Sequence, residues 1–338
     1  MKVSFITFGG RKIGTGHLFR CLAIADWIKL FKIDTEISFY LYDSGLENQS
    51  KALEILQSRS VYPCKIHNIN SIRKLNFDKV ILDLLDVPID LMQLVKKNSN
   101  FLVTIDNLSE SRELSNVAIN PLYFGINKSK VIHNYVGPKF HIISNTFENI
   151  KSNWKSKVEK VLIIQGGSDP FGIAPKIVKD LEFILQRKSI VLHVVIGPAS
   201  NHSIHLSSLI NKYPDQIEIH ENIIDMSYFL EDIDIAISSI GVVAFEIASM
   251  GIPAIHVTGI EKELETAEAM SALGVSINIG LYHSLSSEFN DTLVKLIDNE
   301  SLRKEMRDNC LKNFNVGFSR KLIEIILKGD TDEEHQIS

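Results

Sequence analysis

The chain has 338 residues, 45% of them hydrophobic and 23% charged, which is enough apolar material for two cores and more length than one compact α/β unit needs. Lysine and arginine total 36 against 41 aspartates and glutamates, a net charge of -5, which argues against a broad basic face for nucleic acid and leaves room only for a local basic pocket. Cys21, Cys64 and Cys310 are too few and too scattered for a disulfide framework or a zinc motif, and the apolar run at residues 3–7 is too short for a signal core or a membrane span, so a cytoplasmic protein with no integral membrane segment is expected.

Short β-branched and aromatic runs, each followed by a stretch of helical length, recur along the chain, the pattern of βαβ units on a parallel sheet. A first series predicts strands near 3–7, 37–42, 79–82, 101–105 and 141–144, with helices near 17–31, 46–57 and 88–97. The polar stretch 145–160 reads as a linker, which puts a domain boundary near 150. A second series predicts strands at 161–165, 190–196, 217–220, 233–238, 253–257 and 276–279. Helices near 173–186, 205–212, 226–230, 242–250, 263–273 and 288–299 alternate with them, and two more at 302–314 and 319–327 complete the second domain. Residues 329–338 are polar enough for a flexible tail. The expected fold is α/β: two Rossmann-like domains, 1–150 and 151–328, with parallel sheets and an interdomain cleft.

The first strand runs into Gly9-Gly10-Arg11-Lys12-Ile13-Gly14-Thr15-Gly16-His17, where a helix is expected to begin. Glycines at a helix start let backbone N–H groups approach an anion that the positive end of the helix dipole attracts. Gly14, Thr15 and Gly16 are therefore candidates to hold a phosphate or a sugar. His17 and Arg20, three residues apart, share one helix face and bring a base and a cation together. A tight turn with His17 as a first-turn cap fits the same residues. The dinucleotide fingerprint fits poorly, because Phe19 stands where its third glycine packs, and no Gly-Lys-Ser/Thr follows to make a P-loop. Cys21, on an apolar helix face, reads as core.

In the second series Gln165-Gly166-Gly167-Ser168-Asp169-Pro170 follows one strand, and Ser238-Ser239-Ile240-Gly241-Val242-Val243-Ala244-Phe245-Glu246 joins another to a helix. Both lie at strand carboxyl ends, where open parallel sheets bind ligands. Glu246, one turn into its helix, is placed either to accept hydrogen bonds from ribose hydroxyls or to favour the helix dipole. Gly197-Pro198-Ala199-Ser200 and Gly251-Ile252-Pro253 read as turns.

Ile13-Gly-Thr-Gly-His17-Leu-Phe-Arg20-Cys-Leu-Ala-Ile-Ala25 is similar to the I-G-x-G-H-x-x-R-C-L-A-L-A motif of the UDP-sugar hydrolases of pseudaminic acid biosynthesis. That family is related to the spore-coat polysaccharide proteins and, more distantly, to the muramoylpentapeptide N-acetylglucosaminyltransferases of the GT-B fold. Gly166-Gly-Ser-Asp-Pro170, Val195-Ile-Gly-Pro198 and Glu246 followed by Met250-Gly-Ile-Pro253 fall in the family's order and spacing. The resemblance implies a GT-B fold, a UDP-sugar substrate, and His17 as the base that activates water, with no cofactor and no metal. It implies substrate contacts from Gly14, Thr15, Gly16, Arg20 and Asp83. The nucleotide falls to Gly166, Gly167, Ser168, Gly241, Val242, Val243 and Glu246, the last at the ribose. The chain departs from the family at Phe8-Gly-Gly-Arg11, where an Asp-Ala-Ser-like stretch is usual, at Leu85 in place of a tyrosine, at Val242-Val243 in place of Ser-Thr, and at Lys262-Glu263 in place of Asn-Gln.

The implied reaction is inverting displacement at the anomeric carbon: His17 takes a proton from water and the diphosphate leaves toward the helix start at 241–244. A nucleoside diphosphate is already a good leaving group, so no paired carboxylic acid is needed. A GT-B glycosyltransferase, with an acceptor hydroxyl in place of water, is the alternative, and a surface patch around Trp27 and Lys29 able to meet a lipid acceptor would favour it. A non-catalytic nucleotide-sugar-binding homologue is the third reading.

Overall fold

The computed structural model describes residues 1–10, 14–31, 34–43, 49–61, 64–66, 69–122, 130–131, 133–200, 207–223, 225–285 and 287–328. Residues 11–13 of the glycine-rich segment, the beginnings of the helices expected from 46 and 205, and the tail expected at 329–338 lie outside the described residues. The chain divides into two units, Met1–Asn145 with Val316–Ser338, and Thr146–Asn315. Among the described residues no helix is long and apolar enough to cross a membrane.

The first unit runs β1 (Lys2–Thr7), α1 (Gly16–Leu30), β2 (Glu36–Tyr42), α2 (Ser50–Ser58), β3 (Cys64–Ile66), β4 (Phe77–Asp83), α3 (Ile89–Lys97), β5 (Ser99–Ile105), β6 (Val117–Asn120) and β7 (His133–Val136). Its strands form one parallel sheet in the order β3-β2-β1-β4-β5-β6-β7. β1, an interior strand, is buried from Val3 to Thr7, as a strand covered on both faces must be. The strand order reverses between β1 and β4, and at such a switch point the loops leaving the strand carboxyl ends diverge and open a crevice.

The second unit runs β8 (Lys160–Ile164), α4 (Ile173–Asp180), α5 (Glu182–Leu185), β9 (Val191–Ile196), α6 (Ser207–Lys212), β10 (Ile217–Glu221), α7 (Met226–Leu230), β11 (Ile235–Ser238), α8 (Val242–Ser249), β12 (Ala254–Thr258), α9 (Leu264–Ala272), β13 (Ser276–Leu281), α10 (Ser287–Asp298) and α11 (Glu300–Asn313). Its parallel sheet has the order β10-β9-β8-β11-β12-β13, with the switch point between β8 and β11. The last helix, α12 (Val316–Lys328), belongs to the first unit.

Two parallel sheets are present as expected, but the first also holds β3, β6 and β7, which the sequence pattern does not predict, and further details differ. Residues 141–144 are not a strand: the N–H of Ile143 donates to Ser319 Oγ, that hydroxyl donates to the carbonyl of His141, and Trp27 Nε1 donates to the carbonyl of Ile143. Side chains of α12 and α1 thus satisfy backbone groups that a sheet ladder would otherwise claim, each bond contributing about 1 kcal/mol. The same bonds hold α12 in the first unit rather than the second. The stretch expected as a free linker is tied into the second unit, where the N–H of Ser152 donates to the carbonyl of Met250, that of Asn153 to Glu231, and Arg307 grips Ser152. The helix expected over 173–186 is two, α4 and α5, meeting at Leu181.

Candidate functional site

In the first unit β1 leads to an antiparallel bridge in which Gly10 and Gly14 exchange backbone hydrogen bonds of 3.0 Å. Gly14 has φ +87°, a conformation open to glycine at little cost. The bridge occupies the Gly14 N–H that the sequence reading offered to an anion. Thr15 follows as the N-cap of α1 without a side-chain cap bond, and its buried hydroxyl has no partner among the described residues. Gly16 opens the helix, whose first amides carry no capping side chain.

His17 stacks on Phe8, with ring centroids 4.7 Å apart, and its Nδ1 lies 2.6 Å from Asp83 Oδ1. Asp83 ends β4, across the switch point from β1. Burial pushes the Asp83 carboxyl up, but Arg20 and His17 beside it win and hold it down, at about 2. An ionised Asp83 accepts a hydrogen bond from His17 Nδ1, and in the neutral imidazole this tautomer leaves the Nε2 lone pair free. Nε2 has no hydrogen-bond partner among the described residues, and the side chain keeps 12% exposure. The 3.3 Å approach of Arg20 Nη2 to Nδ1 then sets two donors side by side and is proximity, not a bond.

Arg20 was expected to touch substrate, yet it is 1% exposed and its guanidinium is spent on protein. Nε and Nη2 donate to the two oxygens of Asp83 at 2.9 and 2.7 Å, and Nη1 donates to Asp106 Oδ2 at 2.6 Å. Asp83, also expected at the substrate, is fully buried and faces His17 and Arg20. Burial works against the Arg20 charge, but Asp106 and Asp83 outweigh it and raise its pKa. The two carboxyls respond in opposite senses. Asp83 takes two bonds from Arg20 and is lowered, whereas Asp106 takes one, is buried, feels the Asp83 charge, and is raised. His141, also buried, is held neutral by burial and by the Arg20 charge.

The sequence reading missed Asp106 and His141. An acidic residue directly after a central parallel strand was the available signal for Asp106, which sits at φ +53° after β5. His141 carried none, since the segment around it resembled a strand. Cys21 is buried, its thiol pushed well up by burial and by Asp83, which suits core rather than nucleophile. Trp27 is fully buried and so adds nothing to the surface patch that would favour a glycosyltransferase.

In the second unit the candidate residues gather at the β8/β11 switch point. Gly166, at φ +66°, turns the chain after β8. A Cβ on Gly197 would stand 2.4 Å from the carbonyl oxygen of Gly166 and 2.5 Å from the carbonyl carbon of Gly167, so the turns after β8 and β9 press backbone to backbone. The N–H of Ala199 locks them by donating to Gly167 at 2.8 Å. Ser168 is buried beside them, and Asp169 caps α4, its carboxylate accepting from the N–H groups of Ile173 and Ala174.

After β11, Gly241 is extended and precedes α8, whose first turn lacks a side-chain cap, and a Cβ at Gly241 would meet open space. Val242 is partly exposed and Val243 buried, so these positions offer backbone amides rather than polar side chains. Glu246 follows one turn on. It keeps some surface exposure, yet its carboxyl is desolvated, pushed up to about 7 by burial, with no hydrogen-bond partner among the described residues. Glu263 accepts from the N–H of Gly259 at 2.9 Å and is pushed up to about 6, again by burial.

No family model matches the chain. An uncharacterized protein of Methanocaldococcus jannaschii is 28% identical over 277 residues, 75% of this chain but 55% of that protein, so the chain spans about half of that relative's length. The spore coat polysaccharide biosynthesis protein SpsG of Bacillus subtilis is 23% identical over 294 residues, 83% of this chain and 84% of that protein. Among solved structures, MurG of Acinetobacter baumannii is similar with a TM-score of 0.67 over 97% of this chain and 100% of that one, at 15% identity. MnaA of S. aureus, solved with UDP, is similar with a TM-score of 0.63 over 97% of this chain and 96% of that one, at 14% identity. The chain has the GT-B fold and is a distant homologue of the Bacillus spore coat polysaccharide protein.

Proposed function

We propose that the protein is a nucleotide-sugar hydrolase that releases UDP from a UDP-activated sugar, of the diacetamido-trideoxy kind or a related one, in surface-glycan or nonulosonic acid biosynthesis. The observation that carries this reading is the His17 imidazole, fixed through Nδ1 by an ionised, buried Asp83 and with Nε2 unengaged. Water held at Nε2 gives up its proton to that nitrogen as its oxygen bonds to the anomeric carbon from the face opposite the leaving group. The bond from that carbon to the diphosphate breaks, and UDP takes the electron pair. A positioned base of this kind contributes about 10²–10⁴-fold.

Arg20, Asp83 and Asp106 act in this scheme as positioning residues rather than substrate ligands; Gly14, tied to Gly10, shapes the turn, while Gly16 and the unpartnered Thr15 hydroxyl remain for the sugar. In the second unit the first-turn amides of α8 after Gly241, at Val242 and Val243, and the turn Gly166-Gly167-Ser168 receive the diphosphate, where fixed donors stabilise the charge that develops on departure. Glu246 takes the ribose hydroxyls. Distant homology to a polysaccharide biosynthesis protein and a fold shared with a protein solved with UDP support a nucleotide-sugar substrate.

A glycosyltransferase is the second reading, favoured by the same free Nε2, which serves an acceptor hydroxyl as well as water. A panel of UDP-sugars incubated in ¹⁸O-labelled water separates the readings. Free UDP together with sugar of inverted anomeric configuration carrying the label at C1 is expected. Release of UDP only when a sugar or lipid acceptor is added overturns hydrolysis in favour of transfer, and no release under either condition leaves a binding protein.

A further inference from the structure

The far edge of the second sheet carries a second cluster of chemically capable side chains. β10 is the edge strand and β9 its neighbour, in a register that sets Glu218 opposite His193. His220, two residues beyond Glu218, emerges on the same face, because side chains alternate along a strand. The opposite face is core: Leu192, Val194 and Ile217 are buried in one apolar cluster, against which Ile219 packs.

His193 Nδ1 lies 3.0 Å from His220 Nε2, and the Glu218 carboxylate oxygen lies 3.4 Å from the first and 3.6 Å from the second. A triangle of those sides has its corners about 1.9 Å from its centre, so an ion slightly off the plane reaches all three donors at the roughly 2.0–2.2 Å of zinc bonds. A water would complete a four-coordinate shell. Phe229 of α7 packs edge-on against both imidazoles, at 4.9 Å from His220 and 6.2 Å from His193, which holds the rings with their nitrogens converging. Two imidazoles and one carboxylate suit a zinc-class ion and not calcium or magnesium, which prefer all-oxygen sites.

We propose that His193, Glu218 and His220 bind one divalent transition-metal ion of the zinc class, which clips the edge strand β10 to β9. The site lies outside the residues assigned to nucleotide-sugar chemistry and stands independently of that assignment. No zinc motif marks it in the sequence because its ligands come from two strands that meet only in the sheet. The far nitrogen of His193 is buried with no acceptor among the described residues, and a metal-bound imidazole usually has one. Lack of that partner costs roughly 10–100-fold in affinity, so binding in the micromolar range is expected rather than the tightness of a closed structural site.

The test uses untagged full-length protein, stripped by a chelator and titrated with zinc chloride by calorimetry and by thermal melting. One ion per chain and a melting temperature that rises with zinc are expected, because an ion bound only by the folded state stabilises it by mass action. His220→Gln and Glu218→Gln should each weaken binding at least roughly tenfold. They should leave the metal-free melting temperature nearly unchanged, since these side chains are 26% and 53% exposed and support no core. Cobalt(II) bound to the parent protein should show the intense visible absorption of a four-coordinate ion. Absence of zinc uptake at millimolar concentration, uptake that both variants retain, or a six-coordinate cobalt spectrum would each overturn the proposal.

Discussion

His17 and Asp83 stand 66 residues apart in the chain and meet at 2.6 Å, one at the start of the helix after β1 and the other at the end of β4. The reversal of strand order between β1 and β4 makes the meeting possible, because the carboxyl ends of the two strands are neighbours while the chain leaves them in opposite directions. Asp83 gives the imidazole one tautomer, and Arg20 gives Asp83 its charge. The base therefore depends on a chain of buried groups, no two of which are adjacent in sequence.

Replacing His17 by alanine is expected to lower turnover of an active UDP-sugar by roughly 100-fold or more while leaving UDP affinity nearly unchanged. Asp83→Asn should lose activity on a similar scale with His17 still present, since an amide no longer requires the proton on Nδ1. Steady-state rates, with calorimetric UDP titration as the control for folding, check both. Turnover of His17→Ala equal to the parent's would remove this residue from the chemistry.

Arg20 separates two buried carboxylates, so Arg20→Met should cost about 3–5 kcal/mol at neutral pH by leaving Asp106 without a counter-ion and Asp83 with only the His17 imidazole. The pH dependence then changes sign. In the parent, the lowered Asp83 contributes stability that is present above its unfolded value near 3.8 and is lost as pH falls through about 2. In the variant Asp106, buried and without its counter-ion, is raised further by burial, so stability increases as it protonates on acidification. Denaturant melts at pH 7 and pH 4 should show a smaller deficit at pH 4, and an equal deficit at the two would mean that Arg20 does not hold these charges.

Two glycines of the second unit test geometry against ligand binding. Gly197→Ala drives a methyl into the backbone of Gly166 and Gly167, which cannot yield as a flexible side chain would, and should cost about 1–3 kcal/mol and deform the turn. Gly241→Ala meets open space at an extended φ and should leave the melting temperature alone. Its methyl stands before the first turn of α8, so UDP affinity should fall if that helix start receives the diphosphate. Unchanged affinity in Gly241→Ala would move the diphosphate elsewhere.

The alternation of apolar runs with helical stretches made both sheets legible in the sequence, and all six strands of the second were foreseen within two residues. The first was harder. β6 reads Val-Ala-Ile-Asn, buried throughout but with an apolar run of only three residues, and β7 reads His-Asn-Tyr-Val, half polar and only partly buried, so neither stands out as a strand. The segment at 141–144 carries that signal without being a strand, because burial rather than pairing selects its residues. His17 and Arg20 were visible as one helix face, but their roles were not. Whether an arginine points at a ligand or at two aspartates depends on which strand ends are neighbours, and no local pattern records that.

Glu246 offers the sharpest prediction, because its carboxyl titrates near neutrality. Burial raises it to about 7, so the folded state holds the proton more tightly than the unfolded chain, and stability falls as pH rises from about 4.5 through 7. Glu246→Gln removes that buried charge and should therefore melt above the parent at pH 8, by an amount on the order of 1–2 kcal/mol after allowance for its residual solvent contact, and little differently at pH 5. Ligand binding should move the other way. Ribose hydroxyls donate most strongly to the ionised carboxylate, so the parent's UDP affinity should increase as pH rises through 7, whereas the glutamine variant's should stay flat and lie about 1–3 kcal/mol weaker at pH 8. A residue that only favours the helix dipole would instead lose about 0.3–1 kcal/mol of stability on neutralisation and leave affinity untouched. UDP titrations and melts of both proteins at pH 5 and pH 8 distinguish the two, and a pH-independent affinity in the parent would exclude Glu246 from the ribose.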